Sequence, residues 1–222
     1  MKDWVIVTGA SFGIGKETAK ILSENGFNVI AIARNITELN KIKSEKIDVY
    51  QLDITKDKEI DLFKNYISDK NIIALINNAG GGIGWSEDII NDNPDHWRQA
   101  YDLNVVGALN MTKVAVPRMT DGGNVVLVTS ACGHDVYKGG SGYTVAKHAE
   151  VGLVKLLRLE LLNKNIRVTE ISPGNVNSRG DRQPGTSLDP QDVADAIRWA
   201  IMVPKHVNVE SISIFHINNL SR

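Results

Sequence analysis

The sequence is poor in the features that mark a secreted or membrane protein. It has a single cysteine, Cys132, among 222 residues, so no internal disulfide can form and a reducing compartment is expected. It lacks the basic, apolar and small-residue order of a signal peptide, and it has no apolar run long enough to span a bilayer. These absences predict a cytoplasmic protein without a membrane partner.

An excess of either charge is also missing. Lys and Arg number 25 and Asp and Glu 26, for a formal net charge of −1, which argues against nucleic acid as a partner. No set of His, Cys, Asp and Glu has the spacing of metal ligands, so no metal is expected. The hydrophobic content of 42% suits one sizeable core, and residues 1–222 are predicted to form a single domain.

What the sequence does have is an alternation of short apolar runs with longer amphipathic ones. The predicted strands are DWVIVTG, FNVIAIAR, IDVYQLD, NIIALINNAGGG, GGNVVLVTS, IRVTEISPG and VESISIFHI. The predicted helices are IGKETAKILSENG, ITELNKIKSEK, TKDKEIDLFKNYISDK with Thr55 as its cap, 94–119, 142–163 and PQDVADAIRWAIMV. Strands that are apolar on both faces and separated by helices predict an α/β fold, a doubly wound parallel sheet of about seven strands with helices on both faces.

A glycine-rich segment, VTGASFGIG, joins the first strand to the first helix. Gly9, Gly13 and Gly15 let the backbone approach a pyrophosphate, and the helix start offers free N–H groups. Their spacing, G-x-x-x-G-x-G, differs from the G-x-G-x-x-G dinucleotide fingerprint, and a plain strand-to-helix turn is the alternative. The strand–turn–helix context favours a nucleotide site.

The end of the second strand indicates which nucleotide. A carboxylate at this place bonds the ribose 2′-OH of NAD, whereas an Arg suits the 2′-phosphate of NADP. This chain has Arg34 and no acid in the segment AIARN, and Ser11 in the glycine turn adds a hydroxyl. The sequence therefore predicts NADP(H) in preference to NAD(H), the alternative being that Arg34 is a solvated loop charge.

The chain resembles the short-chain dehydrogenase/reductase family over essentially its whole length. The matching segments, in order, are TGASFGIG, LDIT, NNAG, LNVVG, VTSACG, YTVAK and SPGNV. Each is weak alone, but the whole set in order is specific. The resemblance implies a Rossmann-like fold, a nicotinamide cofactor and reversible hydride transfer between a carbonyl compound and its alcohol.

The segment YTVAK sets Tyr143 one helical turn before Lys147. Residues four apart lie on one helix face, and a nearby ammonium favours ionisation of a phenol, which makes the phenol a usable proton donor. The resemblance implies that Tyr143 is the general acid/base and that Lys147 assists it and binds the nicotinamide ribose. It also implies that Ser130 bonds the substrate oxygen and that Asn104 holds a water linking Lys147 to solvent. The alternative for a Tyr and a Lys at this spacing is a half-buried aromatic beside a surface charge.

The resemblance further implies a set of cofactor contacts at the ends of the strands. They are Gly9, Ser11, Phe12, Gly13, Ile14, Gly15, Arg34, Asn35, Asp53, Ile54, Asn78, Ala79, Gly80, Tyr143, Lys147, Pro173, Gly174, Val176 and Ser178. Asp53 belongs to the adenine side, and the segment at Asn78 belongs to the nicotinamide side. Ser178 stands where the family often has Thr, so the hydroxyl is kept.

Substrate contacts in this family come from the segments after the fourth, fifth and sixth strands. The candidates here are Trp85, Ala131, Cys132, His134, Arg179 and Arg182. The alternatives are that Cys132 is a small packing residue and that His134 and the two arginines are solvated loop residues. The substrate loop, about residues 175–190, is short for the family. The final stretch, WAIMVPKHVNVESISIFHIN, resembles a branch acting on 3-hydroxy acids, serine and allo-threonine.

Three functions remain open at this point. The first is an NADP(H)-dependent oxidoreductase for a small carbonyl or alcohol substrate. The second is a 3-oxoacyl-thioester reductase, and the third is a non-catalytic NADP-sensing regulator on the same fold.

The helices holding Asn104 and Tyr143 carry apolar residues beyond one face, and the family pairs these helices across subunits, so a homo-oligomer is expected, either a tetramer or a dimer. These apolar residues are Val105, Val106, Leu109, Val114, Val151, Val154 and Leu157.

Overall fold

A computed structural model of the chain describes residues 2–83, 85–86, 88–181 and 185–219. Within these residues the strands are β1 (Asp3–Thr8), β2 (Asn28–Ala33), β3 (Ile47–Gln51), β4 (Asn71–Asn77), β5 (Gly123–Val128), β6 (Ile166–Pro173) and β7 (Ser211–Ile214). The α-helices are α1 (Gly13–Glu24), α2 (Ile36–Asn40), α3 (Asp57–Tyr66), α4 (Pro94–Tyr101), α5 (Gly107–Ala115), α6 (Ser141–Leu161) and α7 (Pro190–Met202). No helix in this part of the chain is both long and apolar enough to cross a membrane.

The strands form one parallel sheet in the order β3-β2-β1-β4-β5-β6-β7. The order of the strands reverses between β1 and β4, and in sheets of this kind a crevice opens at that point, at the carboxyl ends of the strands. The predicted doubly wound parallel sheet of seven strands, with its Rossmann-like topology, is confirmed.

The alternation of side chains along β1 shows why its sequence is continuously apolar. Val5 and Val7 point to one face, where they pack in a buried cluster with Leu22 of α1 and Ile197 of α7. Ile6 points to the other face, into a second cluster that includes side chains of α3, α5 and α6. Each of these side chains is fully buried, which stabilises the fold by roughly 1.5–3 kcal/mol per side chain.

Two helix predictions near the third strand are wrong in detail. Helix α2 ends at Asn40 instead of continuing through Lys46, because Ser44 accepts a hydrogen bond from the Ile47 N–H and forms the turn that leads into β3. Thr55 does not cap α3, which begins at Asp57 after Lys56. The Thr55 hydroxyl donates instead to Asp53, at 2.8 Å.

The predicted long helix over 94–119 is helical but not uniform. After α4, residues Asp102–Val106 form one π-helical turn, α5 follows, and Val116–Arg118 form a 3₁₀ turn. A π-turn widens the helix by one residue and often marks a functional position. Here it contains Asn104, whose side-chain amide donates to the Ala100 carbonyl oxygen at 2.8 Å.

The short substrate loop is tied down at its base. Asn177 N–H donates to the Leu188 carbonyl oxygen at 2.8 Å, and Leu188 N–H donates to that of Asn175 at 2.9 Å. Leu188 is buried in the cluster beneath α1 and α7. β7 is shorter than predicted and ends at Ile214.

Candidate active site

The crevice at the carboxyl ends of the strands is a cleft of about 790 Å³. All the predicted cofactor residues except Gly15 line it, and so do Ser130, Tyr143 and Lys147. Of the predicted substrate contacts, Trp85, Cys132 and Arg179 line the cleft, whereas Ala131 and His134 are not among its lining residues. Arg182 lies outside the described residues.

The glycine turn is built for close approach of backbone and ligand. Gly9 and Gly13 have φ angles of +69° and +57°, a region that other residues rarely adopt. Gly15 serves packing rather than the cleft: a Cβ added there would lie 2.5 Å from the Asn78 Nδ2 and 2.5 Å from the Gly9 carbonyl oxygen. The third glycine therefore lets α1 start directly against the turn.

The start of α1 leaves donors available. Phe12, which precedes the helix, has an extended backbone and supplies no side-chain cap, and the first N–H groups of a helix have no intrahelical partner. Gly13 and Ile14 line the cleft at this point. Unpaired N–H groups beside glycines fit the diphosphate of a dinucleotide.

Thr8, which the sequence-based prediction missed, holds the turn in place. Its hydroxyl donates to the Ile76 carbonyl oxygen at 3.2 Å and accepts from the N–H groups of Asn78 and Ala79 at 3.0 and 2.9 Å. The Asn78 side chain donates to the Thr8 carbonyl oxygen at 2.9 Å. Asn78 thus fixes the end of β4 to the glycine turn. The position of Thr8 directly before Gly9 is the sequence feature from which its role could have been predicted.

The outer end of the cleft carries charges of both signs. Burial opposes ionisation of Asp53, but hydrogen bonds from Thr55 and the charge of Arg34 hold the pKa of this carboxyl below its usual range. Asn35 caps α2 by accepting from the Glu38 N–H at 3.2 Å. Glu38 also lines the cleft, as a carboxylate that the sequence-based prediction missed.

Tyr143 and Lys147 lie on one face of α6, as their spacing predicts. The Lys147 Nζ is 5.8 Å from the centroid of the Tyr143 ring. On the Tyr143 ring lies the indole of Trp85, with centroids 5.5 Å apart. Tyr143 is therefore close to both an ammonium and an aromatic ring.

Lys147 is almost fully buried. Its ammonium donates to Glu150 Oε2 at 2.6 Å and to the Val128 carbonyl oxygen at 3.1 Å. Burial disfavours the charge, but the adjacent carboxylate outweighs it and raises the pKa of Lys147. Glu150 was missed by the sequence-based prediction. The sequence did contain a feature that indicates it, because Glu150 is a carboxylate on the same apolar face of α6 as Ala146 and Val154.

Ser130 is presented by the end of β5. Its extended backbone begins the 3₁₀ turn Ala131–Gly133, and its hydroxyl accepts from the Cys132 N–H at 3.2 Å. The Ser130 side chain also hydrogen-bonds the Cys132 thiol, and Ser130 lines the cleft, where its hydroxyl can donate to a substrate oxygen. Burial raises the pKa of the neighbouring Cys132 thiol, so this cysteine is protonated at neutral pH.

Asn104 lies just behind the cleft and is fully buried. Its side-chain oxygen accepts from the Gly81 N–H at 3.2 Å. A Cβ added at Gly80 would lie 2.7 Å from this oxygen and 3.4 Å from the Lys147 Nζ. Asn104 and Lys147 therefore approach the same small space beside Gly80.

His134 is engaged behind the site. Its Nε2 lies 2.7 Å from Glu170 Oε1, and the Thr129 hydroxyl donates to the same oxygen at 2.8 Å. These contacts tie the segment after Ser130 to β6. A substrate contact by His134 or Ala131 stays a prediction.

Comparison with known proteins agrees with this geometry. The family model described as short chain dehydrogenase matches residues 3–186. An uncharacterized oxidoreductase of Mycobacterium tuberculosis is 39% identical over 229 residues, which cover 94% of this chain and 89% of the relative. An uncharacterized oxidoreductase of Staphylococcus aureus is 32% identical over 224 residues, which cover 94% of this chain and 95% of the relative.

Solved structures give a similar picture. The closed form of a serine dehydrogenase complexed with NADP⁺ superposes with a TM-score of 0.90 and 27% identity, covering 97% of this chain and 95% of that one. A serine dehydrogenase from Escherichia coli superposes with a TM-score of 0.84 and 27% identity, covering 96% of this chain and 97% of that one.

Proposed function

This chain belongs to the short chain dehydrogenase family of oxidoreductases, and we propose that it uses NADP(H) to interconvert a small carbonyl compound and its alcohol. The observation that carries the proposal is that Ser130, Tyr143 and Lys147 meet in the same cleft as the glycine turn. A proton donor, a hydrogen-bond donor and a phosphate cradle are the parts that such a reaction needs.

Each residue has a separate task. Tyr143 gives its phenolic proton to the carbonyl oxygen in the reduction and takes it back in the oxidation. Ser130 donates a hydrogen bond to the same oxygen and stabilises the charge that develops there. The Lys147 ammonium favours the ionised phenol, and Asn104 holds the water that connects Lys147 to solvent. When bound, the nicotinamide supplies or accepts the hydride.

The preference for NADP(H) rests on Arg34. Arg34 lines the cleft, and its charge acts on Asp53 in the same cleft; a cation at this place suits a 2′-phosphate. The NADP⁺ complex of the similar serine dehydrogenase supports this choice. Glu38 also lines the cleft, but its carboxylate pairs with the Lys41 ammonium at 2.7 Å, so the charge of Arg34 is proposed to decide the preference.

The proposed substrate is a 3-hydroxy acid or a β-hydroxy amino acid. Arg179 lines the cleft from the short loop, where it can bind a carboxylate. The similarity to two serine dehydrogenases over nearly the whole chain supports this substrate class.

The function is tested by following NADPH oxidation and NADP⁺ reduction with a panel of substrates. Free 3-oxo and 3-hydroxy acids, β-hydroxy amino acids, neutral ketones and 3-oxoacyl thioesters form its arms. Turnover of the free acids is expected. Activity confined to neutral ketones or to thioesters would overturn the substrate class, and cofactor binding without any turnover would indicate a sensor instead of an enzyme.

The proposal includes a homo-oligomer in the cytoplasm. Most of the apolar residues expected to mediate assembly are buried inside the subunit, including Val105, Val151 and Leu157, so that expectation was wrong for them. Leu109 of α5, which was among the expected residues, is exposed, and the outer face of α6 also exposes Val145, Leu156 and Leu159. These faces are proposed to pair two subunits, and sedimentation analysis would distinguish a monomer from a dimer or tetramer.

A further inference from the structure

Lys147 and Glu150 form an ion pair in the interior of the protein. Their side chains are 4% and 2% exposed, with 2.6 Å between Nζ and Oε2. The ammonium also donates to the carbonyl oxygen of Val128, the last residue of β5. The amine is thus held at two points beside the strand that leads to Ser130.

A lone ammonium is unstable in such a place. Burial disfavours the charged form of a lysine and by itself lowers its pKa. In this protein the Glu150 carboxylate reverses that effect and raises the pKa of Lys147. Burial raises the pKa of Glu150 itself, and the charge of Glu170 adds to this effect, so the ionised form of Glu150 depends in turn on Lys147.

The other titratable groups that act on the pair come from three elements: Tyr143 on α6, Cys132 in the turn after β5, and Glu170 on β6. Glu170 has its own partners, since it accepts from the Thr129 hydroxyl and pairs with His134. Cys132 is protonated because burial raises the pKa of its thiol. Glu150 is therefore the anion in direct contact with the amine.

We propose that Glu150 is a positioning residue for the reaction: its carboxylate holds the Lys147 ammonium at the end of β5 and keeps it charged beside Tyr143. Glu150 is not among the residues that line the cleft, so it acts through Lys147 and does not touch the substrate. This inference rests on the proposed function, because it assigns Glu150 a part in that same proton transfer.

Removing the carboxylate takes away the anion that keeps the amine protonated, so the amine becomes neutral at a lower pH. Because the proposed reduction needs the charged amine beside Tyr143, the alkaline limb of its pH profile is expected to move down.

The test is the pH profile of kcat/KM for carbonyl reduction by the wild-type enzyme and by Glu150→Gln. The alkaline limb of Glu150→Gln is expected to lie at least about one pH unit lower than that of the wild type. Glu150→Asp, which keeps the charge on a shorter stem, should lie between the two. Glu160→Gln makes the same chemical change at an exposed position of α6 and should leave the limb in place.

An unchanged limb in Glu150→Gln would overturn the proposal. If Glu150→Gln does not fold, Glu150→Asp decides: a lowered limb supports the positioning role, and a limb equal to that of the wild type overturns it. A wild-type enzyme that consumes no NADPH with any carbonyl compound would instead contradict the proposed function, so the two failures are distinguishable.

Discussion

The indole of Trp85 stacks on the phenol of Tyr143, with ring centroids 5.5 Å apart and planes inclined by 26°. Trp85 comes from the segment after β4 and Tyr143 from α6, so two distant parts of the chain meet at the proposed proton donor. Trp85 is 50% exposed and lines the cleft. It therefore covers one side of Tyr143 and borders the space for substrate.

Replacing Trp85 should weaken the site without abolishing it. A stacked aromatic pair contributes about 0.5–1.5 kcal/mol, so Trp85→Ala is expected to lower kcat/KM by about 2- to 10-fold. Trp85→Phe keeps a ring on Tyr143 and should retain most of the activity. Steady-state kinetics check this, and equal losses in both variants would show that the ring itself is unimportant.

Replacing Tyr143 by Phe should remove the proposed proton donor and little else. The variant loses one hydroxyl from a half-buried ring, and kcat is expected to fall by at least about 100-fold with the thermal midpoint retained. Tyr50→Phe removes a hydroxyl on β3 from a ring packed against Phe63 and Tyr66, and it is the matched control. Near-normal turnover in Tyr143→Phe would refute the role of Tyr143.

Reversing the charge of Arg34 should reverse the cofactor preference. Because a hydrogen bond to a charged group contributes about 1.5–3 kcal/mol, Arg34→Asp is expected to lower kcat/KM for NADPH by at least tenfold and to spare NADH. Lys43→Asp makes the same charge change at an exposed position outside the cleft lining. A wild-type preference for NADH that Arg34→Asp leaves unchanged would contradict the assignment.

Cys132 should react slowly with alkylating reagents. The thiolate is the nucleophile, and because burial raises the pKa of this thiol, less thiolate is present at a given pH than in an exposed cysteine. Its rate of alkylation by iodoacetamide at about pH 8 is expected to be lower than that of glutathione and to increase as the pH increases. Adding NADP⁺ should lower the rate further, because Cys132 lines the cleft. Since it is the one cysteine of the chain, mass spectrometry reads the rate directly, and a rate equal to that of glutathione would contradict the expectation.

Local sequence patterns predicted the main secondary-structure elements of this protein well. The apolar runs predicted all seven strands, and the glycine spacing predicted the turn between β1 and α1. They failed where a neighbouring element decides the outcome. α2 stops at Asn40 because Ser44 and Ile47 form a turn, and Thr55 bonds Asp53 instead of capping α3.

The sequence by itself determined the parallel sheet, the glycine turn between β1 and α1 and the shared helix face of Tyr143 and Lys147, because these follow from spacing along the chain. The tertiary structure alone decided that Lys147 is buried against Glu150, that His134 pairs with Glu170 and that Trp85 covers Tyr143. Charge stabilisation depends on burial and on which groups meet. The packing of α6 against β5 and β6 buries Lys147 with Glu150, and the folding of the β4 segment brings Trp85 onto Tyr143.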